Sequence, residues 1–126
     1  MNMMNTLAQT AYAQPDTSVR NPRAIEYDLF ARVTRKLAAA WARRLEDHAG
    51  LATALHDNKS LWRALAVDVA GDGNLLPAPL RAQLFYLYEF IETHSRKVLD
   101  GTVSAEVLID INTAVMRGLR GNGGMP

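Results

Sequence analysis

Cysteine is absent from the 126 residues. That removes disulfides, thiolate nucleophiles and sulfur-ligated metals together, and it fits a reducing compartment. A surplus of one charge is missing too. Fourteen Lys and Arg against 13 Asp and Glu leave a formal net charge of +1, so no global field draws in nucleic acid or anionic lipid. Charge-driven binding would need a local patch. Long apolar runs are lacking as well: no stretch approaches the roughly 20 residues that cross a bilayer. The first residues, Met1 to Leu7, carry neither the cationic region nor the apolar run of a secretory signal. These absences predict a cytoplasmic protein without a membrane role. What remains is the balance of an ordinary globule, 48% hydrophobic and 21% charged. A chain of this length buries roughly two-thirds of its unfolded surface, enough for one core. The expectation is a single domain over 1–126, with a weakly structured leader at 1–21 and a flexible tail at 122–126.

The hydrophobic spacing is helical and nowhere shows sustained period-two alternation. Asn5 to Gln14 could form a short helix in the leader. Asn21 followed by Pro22 is a good helix start, since Asn caps free N–H groups and Pro at the first position loses nothing. From there a helix is expected as far as Gly50. Tyr27, Leu29, Phe30, Val33, Leu37, Trp41 and Leu45 fall on one arc of it, and Arg32, Arg35, Lys36 and Arg43 on the other. Leu51 to Asp57 reads as a short helix, and Asn58 as the cap of the next, whose Leu61, Trp62, Leu65 and Val69 share a face. Gly71-Asp72-Gly73-Asn74 breaks the chain. A long helix then opens near Pro77 or Pro79 and closes at Gly101, with Leu80, Leu84, Leu87, Ile91, Val98 and Leu99 on one side. Ser104 can cap a last helix running to about Arg120, before Gly121, Gly123 and Gly124 loosen the tail. The fold class is all-α, a bundle of about five helices.

Chemistry is hard to find in this pattern. His48, His56 and His94 are scattered, without the i, i+4 spacing of a helical metal site. No paired carboxylates, nucleophile elbow or phosphate loop stands out, and Gly71-Asp72-Gly73 lacks the Gly-Lys-Ser/Thr that would make it one. Asp68, at the edge of an apolar stripe, reads as a salt-bridge or packing residue. The expectation is no enzyme, no metal and no cofactor. The basic arc of the first long helix invites a nucleic-acid reading. Asp28, Glu26, Glu46 and Asp47 dilute it, however, and no base-stacking aromatic lies among the arginines, so a solvated face explains it as well.

Two features favour binding. Leu84-Phe85-Tyr86-Leu87-Tyr88-Glu89-Phe90-Ile91 is apolar nearly all the way round, as expected of a helix that is central in its bundle or docked on something. In the last helix Val107, Leu108, Ile111, Val115 and Leu119 form a stripe that Ile109 and Met116 widen. Asn112 sits inside that arc. It is either a satisfied core amide that fixes how the helix docks, or a polar anchor in a groove that receives a partner. Phe85, Tyr86, Phe90, Ile109, Asn112 and Met116 are the candidate partner-binding residues, because adaptable interfaces favour Met and aromatic side chains.

Four segments, taken together and in order, resemble the flagellar biosynthesis regulator FlaF family. They run from Glu26 to Arg35 (EYDLFARVTR), from Leu55 to Trp62 (LHDNKSLW), from Leu80 to Leu99 (LRAQLFYLYEF, then HSRKVL), and from Ile111 to Gly121 (INTAVMRGLRG). The resemblance spans about Tyr12 to Gly121. It implies a role in flagellum assembly: FlaF-like proteins promote flagellin production and export, acting with FlbT, which restrains flagellin synthesis. Direct binding of flagellin, as an export chaperone does, is the mechanism it implies, with the amphipathic ends of flagellin docked helix-in-groove. A translation regulator that binds RNA, or an adaptor that binds FlbT, remains an alternative. The family brings no catalytic residues. Its motif positions Trp62, His94, Arg96, Lys97, Asn112 and Arg117 are structural or contact residues. The oligomeric state is left open.

Overall fold

The computed structural model describes residues 22–124, with side chains from Tyr27 to Gly118. The expected short helix at Asn5–Gln14 lies outside them, as does the leader. The described residues form four helices and no strand: α1 (Pro22–Ala42), α2 (His48–Ala70), α3 (Ala78–Leu99) and α4 (Glu106–Gly124). The fold is the expected all-α bundle. It differs from the sequence expectation at three boundaries.

The first helix stops at Ala42, short of Gly50, and turns carry the chain to a new cap. The Asp47 carboxylate accepts from the Gly50 N–H at 2.8 Å and opens α2, satisfying an otherwise orphaned donor. A side chain on Gly50 would strike that carboxylate, its Cβ falling 2.4 Å from Asp47 Oδ2. Leu45, expected on the apolar arc, therefore lies beyond the helix and is 92% exposed. Second, Leu51–Asp57 and the helix after Asn58 are one continuous element. Asn58 is not a cap but a fully buried residue inside α2. Third, α4 continues through Gly121 to Gly124.

The other signals hold. Gly71–Pro77 connects α2 to α3, pinned by Asn74, whose Oδ1 accepts from the Leu76 N–H at 2.9 Å. Gly101, at φ 83, closes α3 in the left-handed conformation that glycine adopts freely. The N–H groups of Gly101 and Thr102 bond back to Val98 and Lys97, satisfying two terminal carbonyls. Ser104 Oγ accepts from the Glu106 N–H at 2.9 Å at the start of α4.

The helices pack in the order α4, α1, α2, α3, with broad contacts between successive members of that series, while α3 and α4 hardly touch. Short connections make sequence neighbours antiparallel. The core lies where α2 meets its neighbours. Trp62, Leu61, Phe30, Leu37, Ile91 and Leu108 are its largest fully buried apolar residues, and Phe30 meets Trp62 edge to face at 5.7 Å. Burying a Trp and a Phe edge to face adds about 1 kcal/mol to the gain from burial alone.

Candidate partner-binding surface

A polar knot closes the side of the bundle built by α1, α2 and α4. Trp62 Nε1–H donates to Asn112 Oδ1 at 2.8 Å. The Asn112 amide nitrogen donates to Asn58 Oδ1 at 2.7 Å and to Thr34 Oγ1 at 3.1 Å. Thr34 in turn donates to the Phe30 carbonyl at 2.6 Å. Asn58, Trp62 and Asn112 are 0% exposed. One amide thus spends its acceptor and both donors joining three helices, inside a medium where any unmade bond costs about 1–3 kcal/mol. Of the two readings of Asn112, the docking amide is the one the structure supports. As a groove anchor it must be struck from the candidate residues, because no partner can reach it without opening the bundle. Among the described residues two buried side-chain polar atoms have no protein partner, Asn58 Nδ2 and Ser95 Oγ.

The opposite side, around α3, is looser. Arg63 on α2 pairs with Glu92 at 2.8 Å. The hydrogen bond to Glu92, then one to Tyr88, raises the Arg63 pKa, so those two side chains mark the flank of α3 that faces α2. The other flank faces the start of α4, where His94 Nε2–H donates to the Ser104 carbonyl at 2.9 Å while its ring stacks on Phe90. Since α3 and α4 otherwise hardly touch, this flank borders an open seam. At 100° per residue Gln83, Tyr86, Phe90, Thr93 and Lys97 share it, so the flank is mostly uncharged and carries one exposed cation, Lys97.

The remaining candidate residues separate accordingly. Tyr86 is 67% exposed and Phe85 40%, the latter set edge to face on Tyr88 at 5.6 Å. Phe90, Ile109 and Met116 are half-buried and pack against the core. A single solvent-facing patch of Tyr86, Phe90, Ile109 and Met116 is not formed. The buried arc of α4 centres on Ala105, Leu108 and Asn112, and Ile109 and Met116 stand at its edge. The helix that reads as apolar all round is not central either; α2 holds that place, and α3 leaves aromatic side chains in solvent. Val67, 55% exposed, went unremarked in the sequence. It lies one turn beyond Arg63 on α2. The signal for it was an i, i+4 step on the charged side of α2.

The basic arc of α1 is exposed at Arg32, Arg35 and Lys36. Lys36 pairs with Asp57 of α2, and Arg44 lies over the Trp41 ring at 4.1 Å. Among the described residues no group of three His, Asp or Glu side chains could hold a metal, and no helix is long and apolar enough to cross a membrane.

The segments that resemble known proteins fall on both regions: INTAVMR carries the knot and LRAQLFYLYEF the loose flank. A family model for flagellar protein FlaF matches residues 8–119. The chain belongs to the FlaF family. Membership gives it a flagellar role, and it accounts for all four segments with one finding. No curated protein and no solved structure matches the chain. The FlaF motif residues divide in two groups. Trp62, Asn112 and the half-buried His94 tie structural elements together, whereas Arg96, Lys97 and Arg117 are exposed.

Proposed function

We propose that this FlaF-family protein acts in the cytoplasm as a non-catalytic flagellum assembly factor, promoting flagellin synthesis and export by binding flagellin as a chaperone. The observation that carries the reading is the aromatic flank of α3 along its seam with α4, with Tyr86 in solvent and Phe90 half-covered; Phe85 is exposed on the other flank, beside Tyr88. Flagellin ends are amphipathic helices that need their apolar faces covered before export. An aromatic flank that α4 barely covers suits helix-in-groove docking, in which aromatic anchors contribute most of the affinity. The RNA reading gains less support, since Lys36 is already paired with a carboxylate.

Co-expression with flagellin, followed by affinity capture, tests the proposal. A soluble complex at micromolar concentration is expected, lost in Tyr86→Asp while circular dichroism is unchanged. Capture of FlbT without flagellin would replace the chaperone with an adaptor. Recovery of neither prey, with FlbT present and absent, sinks the reading.

A further inference from the structure

The outward face of α4 is uncovered. Val107, Ile111, Ala114 and Gly118 share it at helical spacing. Val107 is 36% exposed, Ala114 and Gly118 are exposed, and Ile111 is half-buried. The charged residues among the described side chains of this helix, Glu106, Asp110 and Arg117, gather along one edge of that face. They are ordered, with the acids in the first half and the base in the second. Gly118 stands inside the helix, and a Cβ there would meet nothing within 4 Å. The fold of one chain therefore has no use for glycine at a place where glycine weakens a helix.

We propose that this face is a homodimer contact, α4 pairing antiparallel with α4 of a second copy about a twofold axis beside Asn112 and Thr113. In that register Val107 lies opposite Gly118 of the second copy and Ile111 opposite Ala114, so each large side chain meets a small one. Arg117 of the second copy then lies between Glu106 and Asp110 along the shared edge, within side-chain reach of either carboxylate. Twofold symmetry makes every one of these contacts twice. Antiparallel pairing also sets opposite ends of the helix dipoles together. A parallel pair would oppose Val107 to Val107 and Asp110 to Asp110, so both size and charge select the antiparallel arrangement. The apolar residues supply the attraction; the two exposed ion pairs fix direction and register. One helix pair is a small interface of the transient kind.

Sedimentation equilibrium of the full chain over about 5–500 µM, the range of a small transient interface, is expected to show a monomer–dimer equilibrium that weakens with salt. Asp110→Arg and Arg117→Asp each place like charges within reach of one another, and each should weaken association roughly five- to tenfold. Mixing those two variants should restore it, because the mixed dimer again pairs opposite charges at both sites. Gly118→Leu should block pairing, with the helical circular dichroism signal retained. A chain monomeric throughout that range overturns the proposal, as does a dimer indifferent to the charge reversals. So does a face that becomes covered only when another protein is added.

Discussion

Trp62 and Tyr86 sit on adjoining helices that pack against each other, and both are large rings with one polar atom. Trp62 is wholly buried, with its N–H bonded to Asn112, while Tyr86 is 67% exposed. The difference comes from their neighbours. Around Trp62, α1, α2 and α4 converge, and both donors and the carbonyl oxygen of the Asn112 amide are bonded there. Around Tyr86, only α2 backs α3, and it backs the other side of the helix. A bundle in which one pair of neighbours hardly touches has a closed half, where polar groups give uniqueness, and an open flank, where apolar groups remain available. The residues that hold the bundle together and the proposed docking flank thus lie in different regions of the same small molecule.

Substitutions that break the contrast should do so in graded fashion. The largest effect is expected at Trp62→Ala, which removes the central ring and strands Asn112. A loss of about 3–5 kcal/mol, read by chemical denaturation, is expected. Asn112→Ala comes next at about 2–3 kcal/mol, since it leaves the Trp62 N–H buried and unpaired. If it proved neutral, the knot would not be what closes that half. Met116→Asp and Phe90→Asp should each cost about 1–3 kcal/mol by placing a carboxylate against the core, read as a lowered thermal midpoint. Tyr86→Asp should stay within about 0.5 kcal/mol, as surface changes do, and yet reduce partner capture. Smallest of all, Lys36→Gln should change stability by no more than about 0.5 kcal/mol in a urea titration, because both members of the pair are well exposed.

Local signals in the sequence located the helices better than their joints. The Gly71–Asn74 break, the Pro77 start, the Gly101 stop and the Ser104 cap all depend on conformational limits of single residues, so they could be read directly. Asn58 misled because Asn near an apolar run suggests a cap, whereas its carbonyl oxygen is satisfied by a residue 54 positions away. Asp47 was the cap actually used. The same limit applied to the candidate surface. Width of an apolar arc does not reveal which helix will cover it, so Tyr86 and Phe85 were rightly suspected of exposure, while Ile109 and Met116 turned out to pack on the core.

By itself the sequence determined an all-α chain, its helical segments and its resemblance to the FlaF family, because periodicity, breakers and ordered motif strings are properties of the linear chain. Tertiary structure alone decided that α2 is central and α3 peripheral. It also decided that Asn112 is a fastener and not an anchor, and that α3 and α4 leave a seam between them. Those facts depend on which faces meet. A helix's pattern states how much of it is apolar, and only packing states which part of that surface is taken.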